Sequence, residues 1–413
     1  MNLLLLALSN RFKIDIKYFV SGGFWLLIAQ ISTITASLLT ATFFAHYLTE
    51  NDYGAYRYII GISAILTAFS LTGLPHSILQ ATARGYKKFI QESLPLTLKY
   101  SLGITFSSLI LAGYYYLNDN NTLALGCILI SILHPLTALF SNSASYLTGQ
   151  SKFKAVSNLQ TTKSIFVSGS SLITLLITQN ILTLLAVYFV SQAVISIAAY
   201  CLLKPGSDTD QKTPNEVWTS HIRYAKHTSI RSAMSRIANG LDSIIVFQHL
   251  GASQLAVFSI ASLIPDQIRG SLKNLQTLLL PKYSKHESTK TLRHSIPLRS
   301  LQFFVLLIAL SVISIFLIPI LYSVLFPKYT EVILYAQLLT LSFPASIFHI
   351  PYGALMAQKA DKSLYRFDIS VSAVQIISLL ILVYSYGIIG AVISKIITQY
   401  TKAIVSYYLL YKN

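Results

Sequence analysis

The sequence predicts an all-α, polytopic membrane protein: about twelve transmembrane helices in two parallel-repeat six-helix bundles around a central cavity. Three observations predict it. The first is composition: of 413 residues, 54% are hydrophobic and only 11% charged, with a mean hydropathy of +0.60. A soluble domain carries about 25% charged residues, so this chain has too little polar surface to cover a water-soluble globule. The second is the recurrence, from Gly22 to Leu410, of weakly charged runs long enough to cross ~30 Å of hydrocarbon as helices. These runs do not alternate polar and apolar residues, which excludes a transmembrane β-barrel. The third is the alternating charge of the segments between the runs.

The spans are expected near 22–46, 56–79, 95–117, 122–146, 159–178, 181–203, 230–249, 256–280, 299–322, 332–356, 367–386 and 388–410. One set of connecting loops is basic: Arg84, Lys87 and Lys88; Lys152 and Lys154; Lys204, Lys212, Arg223 and Lys226; Lys282, Lys285, Lys290 and Arg293; Lys359, Lys362 and Arg366. The other set is short, with Arg57 and Lys328 as its only basic residues. The positive-inside rule puts the basic loops and both termini in the cytoplasm. It also accounts for the net charge of +17 without invoking nucleic acid. The apolar start, Met1 to Asn10, lacks a basic leader and a small-residue cleavage site and reads as an interfacial lead-in, not a signal peptide.

The longest loop divides the chain into an N-terminal lobe (1–203), a cytoplasmic linker (204–228) and a C-terminal lobe (229–413). A weak repeat supports the division. The run His46–Tyr56 resembles Gln248–Phe258, with Leu48 matching Leu250, Gly54 matching Ala256 and Tyr56 matching Phe258. Six spans per half make the repeats parallel, with a pseudo-twofold axis along the membrane normal.

Several chemistries are excluded by pattern. There is no Gly-x-x-x-x-Gly-Lys-[Ser/Thr] phosphate loop, no His-Glu-x-x-His and no paired Cys-x-x-Cys, so no cofactor, catalytic residue or metal site is expected. Cys127 and Cys201 read as small core residues, and His134 and His349 as packed histidines. The acidic pair Glu50 and Asp52 stands where lipid-dependent glycosyltransferases often carry one, but it reads first as a polar turn before Tyr53-Gly54.

Ionisable groups inside spans are costly and are therefore functional candidates. On the eighth span Asp266, Arg269, Lys273 and Thr277 fall on one stripe, extended by Ser262. On the seventh, Arg231, Ser235, Asp242 and His249 share a face, with Arg236 turned away from Arg231. Depth counting brings Asp242 opposite Arg269 and suggests an ion pair. On the twelfth span Lys395, Gln399 and Lys402 repeat the device. Arg231, Arg236, Arg269, Lys273 and Lys395 are the candidate ligands for a phosphate group, because Lys and Arg in a low-dielectric cavity attract phosphate strongly. Internal pairing and snorkelling are the bland alternative. Asp242 and Asp266 are the candidates for ion coupling. Gln30, Thr33, Ser37 and Thr40 form an uncharged polar stripe on the first span, suited to sugar or to gluing helices together. Pro75, Pro135, Pro265, Pro319, Pro344 and Pro351 fall within spans and are candidate kinks.

The run Leu48-Thr-Glu-Asn-Asp-Tyr-Gly-Ala-Tyr56, followed by Gly73-Leu-Pro75 and Ala81-Thr-Ala-Arg84-Gly85, resembles the Wzx-type O-antigen and polysaccharide flippases. These belong with the MATE-type multidrug exporters in one superfamily. The likeness in layout covers essentially the whole chain. It implies a MATE-like fold and a non-enzymatic function: translocating an undecaprenyl-diphosphate-linked oligosaccharide to the outer leaflet of the bacterial inner membrane. It also implies membrane lipids, and polymerase or other polysaccharide-assembly proteins, as partners. By span and depth, the cationic cavity role falls to Arg236, Arg269 and Lys273. Relatives that flip the peptidoglycan precursor usually carry two further spans, which points this chain toward a surface polysaccharide. The alternatives are a MATE-type small-molecule exporter, and a membrane glycosyltransferase or polymerase of the same pathway.

Overall fold

A computed structural model describes residues 16–207, 211–286, 289–358 and 361–412, with side chains described outside 16–22, 273–299, 357 and 361. The lead-in Met1–Asn10 and the side chain of Lys273 therefore lie outside the described residues. Every element is helical among them, and the order follows the spans expected from the sequence.

The N-terminal half contains α1 (Ile16–Tyr47), α2 (Glu50–Leu66), α3 (Leu74–Ala83), α4 (Leu94–Leu117), α5 (Asn121–Phe140), α6 (Ser143–Gly149), α7 (Phe153–Ile177) and α8 (Ile181–Leu203). The C-terminal half contains α9 (Asn215–Leu250), α10 (Ala252–His286), α11 (Thr289–Leu325), α12 (Val332–Thr340), α13 (His349–Ala357) and a final stretch, Asp361–Lys412. That stretch turns back at Gly387 (φ +59°) into two arms, α14 (361–386) and α15 (388–412). The Ser378 and Ser394 hydroxyls lie 2.8 Å apart across the hairpin. Gly390 allows the close approach: a Cβ there would stand 1.8 Å from the Leu382 carbonyl oxygen.

Counting α2–α3, α5–α6 and α12–α13 as broken single spans gives six crossings in each half. Pro75 in the first turn of α3 follows a 59° bend. Pro344 opens the 3-10 turn Pro344–Phe348 between α12 and α13, while Pro135 sits inside an unbroken α5. Proline lacks the amide hydrogen that would continue the helix. Helix α9 begins at Asn215, inside the stretch expected to be linker.

Among the described residues seven segments qualify as membrane spans by length and apolar composition, and the bent pair α2–α3 makes an eighth. Among the remaining long helices, α7, α9 and α10 are too polar to qualify. They carry Lys163, Arg236 with Asp242, and Asp266 with Arg269 respectively. Helices α7 and α9 turn apolar side chains such as Ile165, Ile173 and Ile230 outward, while Lys163 lines an internal cavity and Asp242 and Arg269 are buried, which is where intramembrane charge is tolerated.

The segments around 84–93, 146–152 and 204–213 gather at one end of the molecule. There the Gly206 amide donates to the Tyr146 hydroxyl (3.1 Å) and the Thr213 amide to Glu92 (3.2 Å). The other end gathers the α1–α2 and α9–α10 turns, the segment near Lys328 and the Gly387 turn. This is the alternation that the basic loops imply.

Candidate functional site

The two halves meet along two different seams. On one, α2–α3 lies against α9 and the start of α10 through small residues. A Cβ on Gly54 would stand 1.8 Å from the Ala252 carbonyl oxygen, and one on Gly73 2.3 Å from that of Ala225. The Gly73 amide donates to the Ser229 hydroxyl (2.8 Å), Thr72 meets Ser232 (2.6 Å), and Ser77 donates to the His221 carbonyl (2.9 Å). At the less basic end this seam closes firmly. Tyr58 stacks on Phe247 with ring centroids 3.9 Å apart and accepts a hydrogen bond from Gln248 (2.9 Å). Ser253 donates to Glu50, and Lys328 donates to the His46 carbonyl (2.6 Å). The acidic pair of the first turn is thus structural. Asp52 caps its own helix by exchanging hydrogen bonds with Thr49 (2.7 and 3.1 Å), and Glu50 joins the two halves.

On the other seam α1 faces α10. Gln267 donates to Ser37 (3.3 Å), and Leu263 reaches into a cavity of about 440 Å³ bounded by α1, α2, α7 and α8. Its wall carries Thr33, Ser37 and Thr40 of the polar stripe predicted on the first span, together with Ser164, Gln160 and Gln192. Thr33 also bonds Ser164 (3.0 Å), so the stripe both glues α1 to α7 and lines the cavity. Tyr53, Tyr56 and Tyr188 supply aromatic faces.

Two cations project into this space: Arg57 of α2 and Lys163 of α7. Among the described residues neither has a carboxylate partner, and the buried Nε of Arg57 has no hydrogen-bond partner. Arg236 of α9 extends the group. It donates to the Thr67 hydroxyl (3.2 Å), and His134 lies within electrostatic reach of both Arg236 and Lys163. Sequence reasoning missed Arg57 and Lys163. Arg57 reads as a loop residue because the span expected at 56–79 begins beside it, whereas α2 begins at Glu50 and carries it about two turns inside. The overlooked signal was the N-cap pattern of Thr49 with Asp52, which sets the true start of the helix.

The predicted C-terminal residues are brought together, but mostly by neutralising one another. The Asp266 carboxylate takes Arg269 on one oxygen and Lys395 of α15 on the other, the latter at 2.7 Å. Arg269 also donates to Ser342 (3.0 Å), and Lys395 lies over the Phe258 ring, 5.2 Å from its centroid. The expected Asp242–Arg269 pair does not form. Asp266 is one helical turn from Arg269 and engages it first, while Asp242 accepts from Gln375 (3.3 Å). Lys402 lies within electrostatic reach of Asp242, Asp266, Arg269 and Lys395, and stands over the Phe348 ring. Arg231 pairs with the buried Asp368 at 3.2 Å, outside this cluster. Thus Arg236 is the one predicted phosphate ligand with a described side chain that no aspartate holds. Among the described residues no group of three or more His, Cys, Asp or Glu side chains could hold a metal ion.

Residues 19–273, more than half of the chain, match the family described as polysaccharide biosynthesis proteins. No curated protein matches the sequence. Among solved structures, the inward closed conformation of the lipid II flippase MurJ is similar over 94% of this chain and 87% of that one, at 15% identity with a TM-score of 0.71. An outward-facing multidrug resistance MATE family transporter of the MOP superfamily is similar over 96% and 95% of the two chains, at 14% identity with a TM-score of 0.63. An inward-facing structure of a MATE family transporter of that superfamily gives 14% identity over 95% and 94%, with a TM-score of 0.59. At such identities the likeness is one of fold. It bears out the all-helical, MATE-like fold expected from the sequence, and the family match bears out the resemblance; the apolar helices make this a multi-pass membrane protein.

Proposed function

This chain belongs to the polysaccharide biosynthesis protein family, and on that footing we propose that it is a flippase for an undecaprenyl-diphosphate-linked oligosaccharide, an O-antigen or capsule repeat unit. It moves that unit from the inner to the outer leaflet of the bacterial inner membrane by alternating access, with both termini in the cytoplasm. One observation carries the reading: Arg57 and Lys163 line an intramembrane cavity and, among the described residues, have no carboxylate partner, while Arg236, bonded to Thr67, shares the surroundings of His134 with Lys163. An isolated cation in low dielectric is costly, and a diphosphate is the membrane-borne anion that offsets it. Arginine binds phosphate through paired N–H donors, while lysine acts as a compact point charge.

The rest of the cavity suits the cargo. Hydroxyls and amides from Thr33, Ser37, Gln160 and Gln192 offer partners to sugar hydroxyls, and Tyr53, Tyr56 and Tyr188 offer flat faces to sugar rings. The space falls within the usual range for ligand pockets, about 300–1,000 Å³. With the α2–α9 seam closed at the less basic end, the cargo loads from the basic side, past the thinly joined α1–α10 seam. The lipid tail stays in the bilayer. Rocking of the halves about the small-residue seam then exposes the cavity outward. In this reading Asp242, buried beside Gln375 and near Lys395 and Lys402, is the carboxylate for ion coupling. The cargo and membrane lipids are its direct partners, and a polymerase is the consumer of its product.

A MATE-type exporter of cationic compounds would draw on free carboxylates, but Asp266 and Asp368 are held by cations and Asp242 by an amide. A glycosyltransferase would need a catalytic acidic pair, and Glu50 and Asp52 are engaged in the cap and the seam. The test is the sidedness of the lipid-linked unit in cells depleted of the protein. Accumulation of the intact unit on the inner leaflet, reproduced by Arg57→Gln, is the expected result. Normal arrival outside without polymerisation would replace the flippase reading with the polymerase one.

A further inference from the structure

The Asp266 cluster has an asymmetry that simple neutralisation does not require. The two cations are the buried members: Arg269 is 8% exposed and Lys395 17%, while the Asp266 side chain is 46% exposed. Both cations are anchored from behind, Arg269 by the Ser342 hydroxyl and Lys395 by the Phe258 ring. The carboxylate stands in front and is the replaceable part. It is also close to the N-terminal cavity. Leu263, one helical turn earlier on α10, forms part of that cavity's wall, and the next residue, Gln267, bonds Ser37 of the same wall.

We infer that Arg269 and Lys395 form a latent second anion site, with Asp266 held in it as an internal stand-in until a diphosphate displaces it. The inference rests on the flippase reading and deepens it. A phosphate group carries more acceptor oxygens than a carboxylate and draws two cations together more strongly. Cargo held at Arg57 and Lys163 rests beside Leu263, one turn from the masked pair. As the halves rock, its second phosphate reaches Arg269 and Lys395, and Asp266 is released to water. The cargo is thereby handed from one half to the other without losing charge compensation. An empty transporter keeps the same cations neutral. Asp266 selects against weak anions, because any ligand must outcompete a tethered carboxylate. It is a specificity-determining residue, not a ligand of the cargo.

The test uses the full-length protein in detergent and farnesyl diphosphate as the probe, with affinity measured by equilibrium dialysis. Asp266→Asn is expected to tighten binding by at least about five-fold, the lower bound of ordinary intersite coupling. Adding Lys395→Gln to that variant is expected to remove the gain. Unchanged or weaker binding by Asp266→Asn overturns the stand-in role while leaving the flippase reading intact. Failure of the wild type and the variant alike to bind the probe overturns the diphosphate cargo, and the inference with it. A second measurement needs no substitution. In the wild type, saturating farnesyl diphosphate is expected to raise labelling of Asp266 by a water-soluble carbodiimide, mapped by mass spectrometry. Constant labelling in a protein that binds the probe overturns the displacement.

Discussion

In the N-terminal half Arg57 and Lys163 face a cavity with no carboxylate beside them, whereas in the C-terminal half Arg231, Arg269 and Lys395 each hold an aspartate. The contrast separates two uses of intramembrane charge. A paired cation is satisfied by its own chain while no cargo is bound: Arg231–Asp368 ties α9 to α14 through a buried carboxylate, and the more exposed Asp266 keeps Arg269 and Lys395 neutral. An unpaired cation in a cavity is an unfilled demand, and only something from outside the chain meets it. The number of charges in a span therefore says less about ligand binding than whether their partners are internal.

The comparison can be broken most severely at the cavity. Replacing Arg57 and Lys163 together by glutamine removes two charge-assisted contacts worth roughly 1.5–3 kcal/mol each. Flipping of a fluorescent polyprenyl-diphosphate glycolipid in proteoliposomes should then fall by about two orders of magnitude or more, with thermal stability unchanged. A large loss of stability with transport intact would mean that the cations are structural after all.

The paired half should behave in the opposite way. Arg231→Met strands the buried Asp368 and is expected to lower stability by about 3–5 kcal/mol, read as a fall in Tm of the detergent-solubilised protein. Arg231→Met with Asp368→Leu should restore most of it. Transport lost in the double variant despite restored stability would place this pair in the cargo path.

The seam offers a smaller test. Gly54→Ala puts a Cβ against the Ala252 carbonyl and is expected to cost about 1–3 kcal/mol. The strain should open the less basic end, so that a cysteine introduced at Ser253 reacts faster with a membrane-impermeant thiol reagent. Smallest of all is Glu50→Gln, which weakens a single exposed contact to Ser253 by under about 1 kcal/mol. It should leave lipid-linked glycan processing near wild type, whereas a glycosyltransferase using that acid would be inactivated.

Much of this was legible in residue order because a bilayer imposes strong one-dimensional rules. Length, apolarity and alternating loop charge pointed to a helical membrane protein with about twelve crossings, and the weak repeat near Gly54 and Ala256 suggested a division into two halves. The more polar spans α9 and α10 were legible as spans whose charges fall at helical spacing, whereas Lys163 of α7 carried no such pattern. What those charges do was decided by tertiary structure. Whether Arg269 meets Asp242 or Asp266, and whether Arg57 lies in a loop or in a cavity, depends on helix starts and rotations of a fraction of a turn. The ion pairs formed by Lys395 and Arg231 join α15 to α10 and α9 to α14, helices well separated along the chain. A span's hydrophobicity is a sum over its residues and survives any rotation, but a charge's partner depends on which neighbour each face meets.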